Sequence, residues 1–155
     1  MTATAQTHWR QAGPDDAAAI AALVRAAYAR WVPVIGREPM PVRVDYAEAL
    51  TRHRIDLREA GGALLGLIET LQHPDHLWIE NIAVAPQSQG RGHGRALLAH
   101  AETLARADGC KELRLLTNAA FASNVALYQK SGYSIDRSEP FHLGGTTLYL
   151  SKGLT

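Results

Sequence analysis

The chain predicts a single mixed α/β domain (α+β in the order of its elements), a mostly antiparallel sheet with helices on both faces. Three observations carry this. Apolar residues recur at helical spacing in several segments, short apolar runs of strand length lie between them, and glycines punctuate the turns. At 155 residues, 46% of them hydrophobic, residues 1–155 suffice for one self-supporting core, and no repeat, low-complexity stretch or composition shift divides them.

Pro14 with Asp15 and Asp16 opens the first helix, because proline suits a first turn and carboxylates suit its positive end. Ile20, Leu23, Val24, Ala27 and Tyr28 then follow at helical spacing. From Arg30 to Tyr46 the chain is irregular, with Pro33, Gly36, Pro39 and Pro41, and Asp45 to Arg54 returns to a helical pattern. Ile55 to Glu59 and Ala63 to Leu71 read as strands joined by a hairpin at Ala60-Gly61-Gly62; Leu77 to Val84 pairs on after the polar turn Gln72 to His76. Leu97, Leu98, Ala101, Leu104 and Ala105 lay an apolar stripe on the next helix, which Gly109 closes. Leu113 to Thr117, a helix through Asn124, Ser134 to Arg137 and Thr146 to Ser151 complete the order: helix, antiparallel strands, helix, strand, helix, two strands.

Composition narrows the function. Sixteen basic against fifteen acidic side chains leave a formal charge of +1, which speaks against electrostatic binding of nucleic acid. No apolar run is expected to approach the ~20 residues of a membrane span, and the opening residues lack a signal peptide's basic start and apolar block. Cys110 is the sole cysteine, so an internal disulfide and four-thiolate zinc are excluded and a reducing, cytoplasmic compartment is expected.

The most telling run is Gln89-Gly90-Arg91-Gly92-His93-Gly94-Arg95, between the strand ending at Val84 and the helix carrying Leu97. Strand, glycine turn and helix build an anion cradle, because glycines let the backbone turn and approach closely while the first helical N–H groups point outward. A dinucleotide fingerprint would need its third glycine at Arg95, and a Walker loop would need Gly-Lys before Ser or Thr; neither is present. Gln89-x-x-Gly92-x-Gly94 resembles the acetyl-coenzyme A signature of the GNAT N-acetyltransferase superfamily. Asn124, Tyr128, Gly132 and Tyr133 resemble that family's second signature: four-residue spacing puts Asn124 and Tyr128 on one helix face, and Gly132 ends the helix.

This resemblance implies a sheet splayed between its fourth and fifth strands and direct acetyl transfer from acetyl-coenzyme A to a primary amine, on a small molecule, a protein N-terminus or a lysine. It implies that the backbone of Ile82, Ala83 and Val84 pairs with the pantetheine arm like an added strand, with Asn118 across the gap. Gln89, Gly90, Arg91, Gly92, His93, Gly94 and Arg95 are implied for the pyrophosphate, with Arg91 or Arg95 adding charge, and Asn124 for the pantetheine or for ordering its loop. Acetyl transfer needs a deprotonated amine, a stabilised oxyanion and a proton for the leaving sulfur. Tyr128 is the candidate acid, against the alternative of a core aromatic. Glu80 is the candidate base, directly or through water, since on a regular strand it shares a face with Trp78 and Ile82. Its alternative is a solvated or hydrogen-bonded carboxylate.

The irregular segment after the first helix is expected to wall the acceptor pocket, with Trp31 or Tyr46 stacking on the acceptor and Arg37 or Arg43 holding a carboxylate. The Phe141 to Gly145 loop is assigned either to that pocket or to a homodimer contact. No metal is expected: His73 and His76 lie in a turn without a third ligand, His93 is expected to face solvent, and Cys110 reads as a packed thiol. The alternatives are a GNAT-fold acyl-coenzyme A sensor or interaction module without turnover, and a nucleotide-binding protein, which would need a ribose-binding acid or a Lys-Ser pair that the chain lacks.

Overall fold

The computed structural model describes residues 6–155. One seven-stranded sheet forms its centre: β1 (Thr7–Gln11), β2 (Arg54–Ala60), β3 (Ala63–Gln72), β4 (His76–Val84), β5 (Glu112–Asn118), β6 (Ser134–Pro140) and β7 (Thr146–Gly153). The spatial order is β1-β2-β3-β4-β5-β7-β6, antiparallel throughout except for the parallel pair β4 and β5. Helices α1 (Ala17–Tyr28), α2 (Val32–Ile35), α3 (Tyr46–Ala49), α4 (His93–Ala107) and α5 (Ala122–Lys130) surround it.

Two apolar clusters lie on the two faces. Ile20, Val24 and Tyr28 of α1 pack with Ile55, Leu57, Leu67 and Ala83, and Leu97, Leu98 and Ala101 of α4 pack with Ile68, Ile79, Ile82 and Leu113. The alternation of Leu67 and Ile68 between clusters follows from the two-residue period of a strand. Gly132, at φ 96°, closes α5 as expected: Tyr133 N–H donates to Tyr128 C=O and Gly132 N–H to Gln129 C=O, the two bonds of a Schellman end.

The fold departs from the sequence reading at several places. The chain begins on strand β1, which the periodicity did not announce because four of its five side chains are exposed; main-chain pairing with β2 holds it. The helix expected over 45–54 is the single turn α3, capped by the Asp45 carboxylate accepting from Ala47 and Glu48 N–H, and Arg54 already belongs to β2. The helical run Pro14–Ile35, 22 residues, is by length and composition alone long and apolar enough to cross a membrane, where the sequence reading expects no such run; its Ile20, Leu23, Val24, Ala27 and Tyr28 are packed against the sheet.

β4 carries the feature that shapes the site. Its pairing with β5 spans only His76↔Glu112 to Ile79↔Leu115, so from Glu80 to Val84 the strand has β3 on one side and, among the described residues, no strand on the other. At the same place the β3 ladder passes from Thr70↔Ile79 to Glu69↔Asn81, leaving Glu80 as a bulge. The extra residue reverses the alternation: Leu77 and Ile79 face α4, and beyond the bulge so does Ile82. Glu80 therefore shares a face with Trp78 but not with Ile82, whereas the sequence reading, which takes a regular strand, puts all three on one face.

Candidate active site

The glycine turn and the start of α4 form the wall of a cleft of about 710 Å³. Gly90 and Gly92 take φ of 77° and 85°, left-handed values that favour glycine, and a Cβ on either would meet nothing within 4 Å. Gly94 has a different reason: a Cβ there would lie 2.8 Å from Leu127 Cδ2, so its absence lets α4 approach α5. Gly92 C=O accepts from Ala96 N–H, and the amides of His93, Gly94 and Arg95 precede the first intrahelical donor, at the positive end of a 15-residue helix.

Ile82, Ala83 and Val84 line this cleft, together with Gln89, Gly90, Gly92, His93, Gly94, Arg95 and Asn124, as the sequence reading grouped them. Arg91 is exposed and does not line it. Asn118 lies at the end of β5 but lines a different cavity, its Oδ1 accepting from Ala120 N–H. His93 does not simply face solvent: its Nδ1 accepts from Arg58 Nε at 3.0 Å, and burial, with the charges of Arg58 and Arg91, lowers its pKa. Neither Ser123 nor Asn124 caps α5.

Sequence reading also missed Arg30. Its guanidinium lies over the Trp31 ring and donates to Gln89 Oε1 at 3.1 Å and Ser123 Oγ at 2.6 Å, tying the end of α1 to the glycine turn and to α5. Trp31, expected against the acceptor, is buried beside this cleft and stacked on Phe121. No spacing rule marks Arg30, because its partners are 59 and 93 residues away.

A second cavity, of about 430 Å³, opens on the α1 face of the sheet and shares Tyr28 and Ile82 with the cleft. Arg37, Tyr46, Glu80 and Tyr128 all line it, as does Phe141 from the β6–β7 loop. Tyr128 belongs to the cluster on the α4 face, so its presence here follows from the gap between β4 and β5, through which residues of both faces line one space. Asn124, on the same helix, lines the cleft instead; the two motif residues serve different cavities. Burial raises the Tyr128 pKa well above the usual phenol value, and its hydroxyl has no hydrogen-bond partner among the described residues. The hydroxyl is thus a neutral phenol committed to no protein acceptor among the described residues.

The cavity's inner wall is a buried polar chain. Tyr28 Oη donates to Asn81 Oδ1 at 2.7 Å, Asn81 Nδ2 donates to Tyr46 Oη at 3.2 Å, and Tyr46 Oη donates to Pro41 C=O at 2.7 Å. Every donor in this chain points one way, which fixes the Asn81 amide and ties the irregular segment to β4. Tyr46 is therefore committed to the wall rather than free to stack. Arg37 lies over the Phe141 ring at 5.1 Å. Glu80 is exposed at the bulge and accepts from Trp78 Nε1 at 2.8 Å. Glu69, unmarked in the sequence because it sits inside an apolar strand, is buried in the same cavity, with Oε2 2.6 Å from His53 Nδ1.

A glycine turn feeds a helix beside a parted parallel strand pair, and a second cavity meets the cleft in the gap. Residues 20–133 match the model of the Acetyltransferase (GNAT) family, and the chain belongs to that family. Similar solved structures include the PaiA N-acetyltransferase of Thermoplasma acidophilum in complex with coenzyme A, 16% identical, covering 96% of this chain and 99% of that one at TM-score 0.82. Another is the ribosomal-protein-S18-alanine N-acetyltransferase of Escherichia coli, 21% identical, covering 97% and 95% at TM-score 0.78. A third is the IAA acetyltransferase of Bacillus cereus ATCC 14579, 22% identical, covering 96% and 100% at TM-score 0.71.

Proposed function

We propose that the protein is an N-acetyltransferase that moves an acetyl group from acetyl-coenzyme A directly to a primary amine, with both bound together. The observation that carries this is the meeting of cleft and cavity at Tyr28 and Ile82, in the gap of the sheet. A long anionic ligand lying along the cleft has its reactive end at the point where a second molecule enters. The structural neighbour with coenzyme A bound supports the choice of ligand.

The residues fit that ligand. The open space over Gly90 and Gly92 leaves room for phosphates against backbone N–H groups, Arg95 adds charge, and the edge of β4 from Glu80 to Val84 has no strand partner on the β5 side among the described residues. When bound, acetyl-coenzyme A supplies the thioester whose carbonyl accepts the amine. Tyr128 gives its proton to the departing sulfur, a contribution of ~10²–10⁴-fold. Removal of the amine's proton falls to a carboxylate of the cavity, where Glu69 and Glu80 stand.

Calorimetric titration with acetyl-coenzyme A, coenzyme A and NAD, followed by release of free thiol across a panel of amines, tests the reading. Binding of both coenzyme A species and not NAD, with amine-dependent thiol release, is expected. Coenzyme binding without release for any amine would favour a sensor, and no coenzyme binding would overturn the reading.

A further inference from the structure

Glu69 has the placement of a reacting group. It lies directly opposite Asn81 in the ladder and next to Ile68, which pairs with Ile82 at the junction of cleft and cavity. Its side chain is only 3% exposed, and a buried carboxylate needs compensation that apolar neighbours do not give. His53 holds one oxygen; the other has no hydrogen-bond partner among the described residues. The ionisable groups around it are His53 from the turn before β2, Glu80 from β4, Tyr46 from α3 and Tyr28 from α1. The hydroxyls of Tyr46 and Tyr28 are already donated to Pro41 and Asn81. Burial raises the Glu69 pKa, the His53 hydrogen bond and charge oppose this, and Glu80 adds to the rise.

The rest of the cavity limits what approaches. Ile35, Met40, Val44 and Phe141 line it beside the charged Arg37, Asp45, Glu48 and Arg52. Arg52 is paired with Glu48, and Arg37 lies over Phe141. An acceptor carrying a carboxylate beside its amino group would set that charge against Glu69 and Glu80.

We infer that Glu69 receives the acceptor as a primary ammonium ion and takes one of its protons, and that the acceptor is an apolar-bodied amine with no carboxylate next to the amino group. The inference deepens the acetyltransferase reading and rests on it. In the step an N–H bond breaks, its electron pair stays on nitrogen for attack on the acetyl carbon, and the proton forms an O–H bond on the free Glu69 oxygen. His53 keeps the other oxygen in place, and the proton later passes to solvent.

The test uses the full chain, with and without saturating coenzyme A, titrated calorimetrically with n-hexylamine and with norleucine, which also has six carbons but carries a carboxylate beside its amino group. Hexylamine is expected to bind at least tenfold more tightly than norleucine, and Glu69→Gln to weaken hexylamine at least tenfold with an unchanged melting temperature. With acetyl-coenzyme A, the rate should rise with pH along a limb above the ordinary glutamate range. That limb should vanish in Glu69→Gln, return in part in Glu69→Asp, and move to lower pH in Glu80→Gln, because loss of the second charge eases ionisation of Glu69. Equal hexylamine affinity in Glu69→Gln and the parent, norleucine binding as tightly, or no hexylamine binding would overturn the inference. Failure of the parent to bind coenzyme A would instead strike the acetyltransferase reading, since hexylamine binding to the apoprotein reports on Glu69 separately.

Discussion

Gly66 in β3 offers a sharp test of how closely the sheet is packed at the gap. Alanine in place of glycine within a strand ordinarily adds roughly 0.5–1 kcal/mol of stability, because glycine loses more backbone freedom on folding. Here the sign reverses. A Cβ on Gly66 would stand 2.9 Å from Ala83 C=O and 3.2 Å from Leu97 Cδ1. Leu97 is fully buried and cannot swing away, and the carbonyl belongs to β4, which moves only if the strand edge facing the cleft moves with it. Overpacking of this kind costs ~1–3 kcal/mol. At roughly 2–4 °C per kcal/mol for a domain of this size, Gly66→Ala should lower the melting temperature by about 2–12 °C. Thermal unfolding followed by circular dichroism measures this, and calorimetry on the same variant should show weaker coenzyme A binding because the β4 edge has shifted. A melting temperature within 1 °C of the parent, with unaltered coenzyme affinity, would refute the close approach of β3 and β4 at this point.

Gly92→Val places a β-branched side chain at φ 85° and should cost at least about 1–2 kcal/mol while displacing the first turn of α4; unfolding midpoints and coenzyme titration should fall together, and retained affinity would contradict the cradle. Tyr128→Phe should lower kcat by ~10²–10⁴-fold with little change in coenzyme affinity, and unchanged turnover would remove Tyr128 from the mechanism. Asp56 is buried, which raises its pKa, but hydrogen bonds from His100 and Arg54 outweigh burial and hold it below the ordinary aspartate value. A depressed folded pKa gives stability that is present above the unfolded value, ~3.9, and lost as pH falls through the folded one. Urea unfolding of Asp56→Asn should therefore show a flatter acid limb, with ~1.5–3 kcal/mol lost at neutral pH; an acid limb as steep as the parent's would exclude Asp56 as its source.

What the sequence made legible was local. Helix ends, hairpins and the glycine cradle each depend on residues within a few positions of one another, so Pro14, Gly109, Gly132 and the run Gln89 to Arg95 announced themselves. β1 did not, because an edge strand held by its backbone needs no apolar alternation. Nor did the contacts that build the cavity floor: Tyr28 meets Asn81 across 53 residues, and Asn81 meets Tyr46 across 35. Glu69 was hidden for a further reason. Within Ala63–Gln72 it reads as one acid in an apolar strand, and its significance comes from His53, which the sequence reading had placed in a helix.

The bulge at Glu80 joins these observations. If β4 kept a regular period through Val84, Asn81 and Ala83 would follow Ile79 toward α4, while Ile82 and Val84 would turn toward α1. Asn81 would then lose its partners in Tyr28 and Tyr46, and the polar floor beside Glu69 would be replaced by isoleucine. With one residue inserted, the apolar side chains beyond the bulge stay on the α4 face, where Leu97, Leu98 and Ala101 cover them, and the amide turns to the cavity. The insertion stands one residue after the last β4–β5 pair, Ile79↔Leu115. Bulges bend a strand and increase its twist, so the residue that resets the alternation also carries β4 away from β5. A single exposed glutamate thus gives the sheet both its gap and the polarity of the cavity that opens there.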